Sequence, residues 1–166
     1  MSSAVDPVRG HALRELAPAE LAAWRGMLRV HAALVKALDA ELLVAHDLPL
    51  ISYEVLITLD AAPGRKRRMA ELADSVLLSR SGTTRLVDRL VRDGLIAREQ
   101  CDDDGRGSYA VLTERGADLL AQARATHLAG VRDRFLRHFD EVELRTLAAA
   151  WERVVPGSAA IEDLSL

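Results

Sequence analysis

The chain has 166 residues, 49% of them apolar, 28% charged and 4% aromatic, with a net charge of −3. That apolar share can build a core and excludes intrinsic disorder, while the single cysteine, Cys101, excludes an internal disulfide and a four-cysteine zinc site. No run of about 18 apolar residues occurs, and the opening MSSAVDPVRG lacks the basic-then-apolar order of a signal peptide, so a soluble, cytoplasmic chain with no membrane partner is expected.

Taken in chain order, the pattern predicts helices at both ends and a compact mixed segment between them. Pro18 suits a first helical turn, and Leu21, Leu28, Val35 and Leu42 then recur every seven residues. Trp24, His31, Leu38 and Ala45 form a second row, so the helix is expected to pack along its length against other helices. Asp47-Leu48-Pro49 ends it, because a proline disfavours helical geometry in the residue before it. Ser52 is expected to cap a second helix carrying Val55, Leu56 and Leu59, closing near Ala62-Pro63-Gly64. A short polar strand follows at Lys66–Arg68, a brief helix at 70–76, and a fourth helix capped by Ser79 that ends at Gly94. The period then changes to two. Residues 95–100 and 109–112 read as strands around the polar tip 101–108, giving a β-hairpin. Thr113 caps a long helix to about Phe139, some 26 residues or roughly 40 Å. Asp140 and Glu143 have the spacing of a capping box before a last helix with Leu144, Leu147, Trp151 and Val154.

Charge is unevenly placed. Residues 65–98 hold nine Lys/Arg and four Asp/Glu, a local +5, whereas the remainder holds 13 basic and 21 acidic residues, or −8. A phosphate backbone is a common reason for concentrating like charge in one segment. Two short helices followed by a hairpin is the order of a winged helix-turn-helix. On a wheel of residues 79–94, Thr83, Leu86, Val87 and Leu90 gather on one side. Ser81, Thr84, Arg85, Asp88 and Arg92 lie opposite, with Arg89 and Arg80 on the flanks. The first side can dock on a core, and the second can reach base edges or phosphates. Arg106, between Gly105 and Gly107, is a cation suited to a minor groove, and Asp104 could hold its guanidinium. Asp88 and Asp93 are discordant on a basic helix, and each is expected to pair with an arginine a turn away.

The run LSRSGTTRLVDRLVRDGLI (Leu78–Ile96) followed by DDDGRGSYAVLTERG (Asp102–Gly116) resembles the MarR family of bacterial transcription regulators, with the order of elements matching from Pro18 to about Val155. The resemblance implies a mainly α fold with a small β-hairpin wing. A winged helix-turn-helix (about 50–113) would be embedded between N- and C-terminal dimerisation helices (about 11–46 and 114–160) in one domain, 1–166. It implies a homodimeric, ligand-responsive repressor on a near-palindromic double-stranded operator, with helix 79–93 in the major groove and wing 101–108 at the minor groove. DNA contacts carried over from it fall on Ser79, Arg80, Ser81, Thr84, Arg85 and Arg89, with Asp104 and Arg106 in the wing. The wing commonly reads Asp-Arg-Arg, and Gly105 here removes one cation. Many members are released by small aromatic effectors held between the dimerisation helices and the winged domain. Trp24, His31 and Tyr53 are the residues picked out for such a pocket, although His31 also reads as a buried histidine at a dimer interface.

Other chemistries find less support. No two histidines stand three or four residues apart, so no helix presents a metal pair, and no metal or cofactor is expected. The aspartates beside Cys101 oppose its thiolate and hence redox sensing. Neither G-x-S-x-G nor a phosphate-cradling glycine motif occurs, and no enzyme is expected. The rival reading is a winged-helix protein-interaction or dimerisation module without specific DNA binding.

Overall fold

The computed structural model describes residues 16–75, 80–100 and 107–158, leaving aside the side chains of residues 74, 75, 80 and 81. It comprises two units, one up to Ala33 and one from Leu34 onward. Helix α1 (Pro18–His46) begins in the first, where Trp24, Leu28 and Val30 are exposed, and ends in the second with Leu38 and Leu42 buried.

Helix α2 (Leu50–Asp60) starts earlier than expected. Pro49 occupies the cap position with φ of −59°, and the unpaired N–H of Leu50 is accepted by Asp39 Oδ1 of α1 at 2.8 Å. A cap supplied from another helix makes a local serine cap unnecessary. Ser52 therefore lies inside the first turn and is 1% exposed.

Next come β1 (Lys66–Arg68), α3 (Met69–Ser75), α4 (Arg80–Arg92), β2 (Ile96–Gln100) and β3 (Ser108–Leu112). The strands form one antiparallel sheet in the order β1-β3-β2, with Lys66 opposite Val111 and Ile96 opposite Leu112. Alternation sends Ile96, Ala110 and Leu112 into the core with Tyr53, Leu56, Leu59, Leu90 and Leu120.

Gly94 ends α4 at φ of 71°, the left-handed conformation its sequence position called for. Thr113 does two jobs: its Oγ1 accepts the N–H of Gly116, capping α5 (Glu114–Arg134), and donates to the Gly94 carbonyl at 2.8 Å. A β-carbon at Gly116 would drive into the Leu95 carbonyl, so only glycine lets α5 root so close to the end of α4.

The long helix stops at Arg134, after 21 residues, rather than at Phe139. Phe135 leaves helical geometry (φ −127°, ψ −65°), and a 3-10 turn over Leu136–His138 brings its ring to 5.0 Å from that of Phe139. The Asp140–Glu143 capping box is formed in both directions and opens α6 (Glu141–Val154). No single helix among the described residues is long and apolar enough to cross a membrane.

Candidate nucleic-acid interface

Helix α4 is divided as its sequence requires. Thr83, Leu86, Val87 and Leu90 are buried, while Thr84, Arg85, Asp88 and Arg92 are exposed on the other side. The buried residues dock the helix, leaving a polar face that includes Arg85, Asp88 and Arg92. Arg80 and Ser81 fall on its first turn, while Ser79, Asp104 and Arg106 lie outside the described residues.

Several cations of the basic segment are engaged internally. Arg65 pairs with Asp60 (3.2 Å) and Glu114 (3.6 Å), Lys66 with Glu99 (3.4 Å) and Arg98 with Asp88 (2.8 Å). Arg89 Nη2 donates to the buried Ser52 hydroxyl at 3.1 Å, so this proposed contact residue also ties α4 to α2. Lys66 and Arg68 stand over the Tyr109 ring, 5.1 and 5.6 Å from its centroid. Asp60, Glu99 and Glu114 lie outside the 65–98 window, so a charge count over that window overstates what the surface offers a phosphate. Asp88 is paired as expected, but with Arg98 on the adjacent strand instead of an arginine a turn away. The sheet brings β2 alongside α4, a proximity that helix spacing alone does not predict.

The suggested pocket residues have different settings. Trp24 is 53% exposed, and His31 is exposed on α1 rather than buried in this chain. Tyr53 is buried in α2, its ring 4.6 Å from that of His127 on α5. Burial raises the Tyr53 pKa above its ordinary value, against the opposing pull of Arg124. Burial lowers that of His127, with Glu41 acting the other way. Among the described residues, His127 Nδ1 has no hydrogen-bond partner. Neither residue reads as coupled from sequence, since 74 positions separate them. A cavity of about 550 Å³ lies between the α1 end and the α5 start, bordered by His46, Asp47, Asp93, Arg115 and Asp118. Trp24, His31 and Tyr53 do not line it. Among the described residues, no group of three His, Cys, Asp or Glu is placed to hold a metal ion.

The family model described as MarR family matches residues 46–107, from the end of α1 into the hairpin. AbsC, a MarR family transcriptional regulator from Streptomyces coelicolor, is 32% identical, with a TM-score of 0.80 over 85% of this chain and 95% of that one. The chain belongs to the MarR family. A second MarR family transcriptional regulator from Streptomyces coelicolor, solved in complex with DNA, is 30% identical, with a TM-score of 0.82 over 90% of this chain and 94% of that one. The transcriptional repressor MprA of Escherichia coli (strain K12) is 33% identical over 70 residues, which is 42% of this chain and 40% of MprA. The match thus spans two fifths of that repressor's length. In this member of the MarR family, the sequence signature around Thr113 and Gly116 acquires a physical reason: it roots the long α5 helix on the C-terminal end of α4.

Proposed function

We propose that the chain is a homodimeric, sequence-specific repressor of transcription that binds a near-palindromic double-stranded operator. One observation carries the reading: α4 buries an apolar side and turns Thr84 and Arg85 outward, on a helix continuous with the segment expected to enter the major groove. The second Streptomyces coelicolor relative, whose structure contains DNA, supports the same use of the fold. Ser79, Arg80, Ser81, Thr84, Arg85 and Arg89 are the proposed major-groove contacts, with Asp104 and Arg106 at the minor groove.

Dimerisation is assigned to the two ends of one domain, 1–166, working as a cytoplasmic regulator rather than an enzyme. On α6, Val142 (63%) and Val154 (71%) are too exposed to serve this chain's own core, which suits a two-fold partner. A small aromatic effector completes the reading, and Trp24, His31 and Tyr53 remain its proposed contacts.

The deciding experiment is recovery and sequencing of genomic fragments bound by the protein, followed by mobility shifts. A shared palindrome is expected. Recovery of random fragments with no common sequence would leave the protein-interaction module as the better reading.

A further inference from the structure

Asp88 is the anomaly of the exposed α4 face. A carboxylate on a helix meant for DNA repels phosphate, yet this one lies among the outward residues beside Arg85 and Arg92. Its partner explains it. Arg98 stands on β2, opposite the buried Ala110 and therefore on the sheet face directed at the helices, and donates to Asp88 Oδ1 at 2.8 Å. The next residue, Glu99, points to the other face and pairs with Lys66 of β1 at 3.4 Å. Two consecutive residues of β2 are thus pinned on opposite faces, one to α4 and one, across β3, to the opposite edge strand β1.

From this juxtaposition, and resting on the DNA-binding reading above, we infer that Asp88 and Arg98 are positioning residues that set the recognition helix and the stem of the wing at a fixed separation. Helix and wing must meet adjacent grooves of one duplex together, so a preset separation favours the operator that matches it. Neither residue reads a base, and Arg98 is not a phosphate contact, because its charge is matched by Asp88.

Charge and geometry make separable predictions. The pair is neutral, so random DNA registers its net charge, whereas the ratio of operator to random affinity registers the tie. Arg98→Ala uncovers a carboxylate and should weaken random-DNA binding, whereas Asp88→Ala leaves a cation and should strengthen it. The double variant is neutral and should return random-DNA affinity to the wild-type level. In all three the ratio should fall, by up to about fivefold for a partly exposed pair. Arg98→Lys keeps the charge and most of the reach and should preserve part of the ratio.

The test is titration of the full-length dimer and these four variants against the recovered operator and a random fragment of equal length, at one salt concentration. An unchanged ratio in both single variants and the double would overturn the inference. So would a double variant as weak on random DNA as Arg98→Ala, since that makes Arg98 a phosphate contact. A wild-type protein that binds no DNA would overturn the functional reading itself, and this inference with it.

Discussion

Arg85 and Lys66 belong to one basic segment but to different surroundings, and they should behave differently. Arg85 lies on the exposed face of α4, so Arg85→Ala is expected to cost about 1–3 kcal/mol on the operator and to relax preference at one base position per half-site. Lys66 is held over Tyr109 and beside Glu99, outside the recognition helix. Lys66→Ala uncovers the Glu99 carboxylate and should weaken operator and random DNA alike, lowering the salt slope by less than the full unit of an unmatched phosphate contact. Competition titrations on both probes at several salt concentrations separate the two roles, and equal losses for Arg85→Ala on both probes would contradict its assignment. His127 carries a different signature. Its folded pKa lies below the ordinary 6.5 because burial disfavours the imidazolium. The unfolded chain therefore binds the proton first. Stability is complete above about pH 6.5 and declines as pH falls from there through the lowered folded value. Replacing His127 by Phe should flatten that part of the pH–stability curve in chemical denaturation, and an unaltered slope would place the titration elsewhere.

Elements were legible in the sequence where their determinants are local. Gly94, Thr113 and the Asp140–Glu143 box each mark a helix end through residues within a few positions, and the structure has all three. The period-two alternation placed β2 and β3 within a residue of their observed starts. Two of the three misreadings involve partners in other elements. Ser52 looked like a cap because Asp39, eleven residues upstream, gives no local sign that it accepts the Leu50 N–H. The end of α5 is the local exception: helix periodicity does not encode the break at Phe135, which a ring contact with Phe139, four residues on, accompanies. The charge map, like the cap of α2, is set from a distance, since the partners of Arg65, Lys66 and Arg98 come from other elements. The joint between α5 and α4 offers an element-scale test. Thr113→Val removes both hydrogen bonds of the hydroxyl at nearly constant volume and should lower stability by about 1–2 kcal/mol, whereas Thr113→Ser should lose much less. Urea unfolding of the two variants checks it, and equal losses would show that packing of the methyl group, not the cap, is what matters.

At the scale of the molecule, the question is where the exposed apolar surface goes. The second unit closes its core with residues from α1 through α5, and α6 contributes no fully buried residue to it. Yet α6 is amphipathic, and Val142, Trp151 and Val154 remain exposed in the single chain. In the first unit, Leu16, Trp24, Leu28 and Val30 are exposed as well. Leaving so many large side chains in water forfeits on the order of 25 cal/mol per Å² that burial would supply, which a symmetric partner can recover. Ending the chain after Asp140 should therefore abolish the dimer while leaving the winged segment's core residues present. Analytical sedimentation is expected to give monomer or aggregate for the truncated protein and a dimer for the full chain. Because a palindromic operator is bound by two linked winged segments, the same truncation should reduce operator affinity far more than affinity for a single half-site. A truncated protein that sediments as a stable dimer would remove α6 from the interface. A monomer that keeps full operator affinity would show instead that the two halves of the site are read independently.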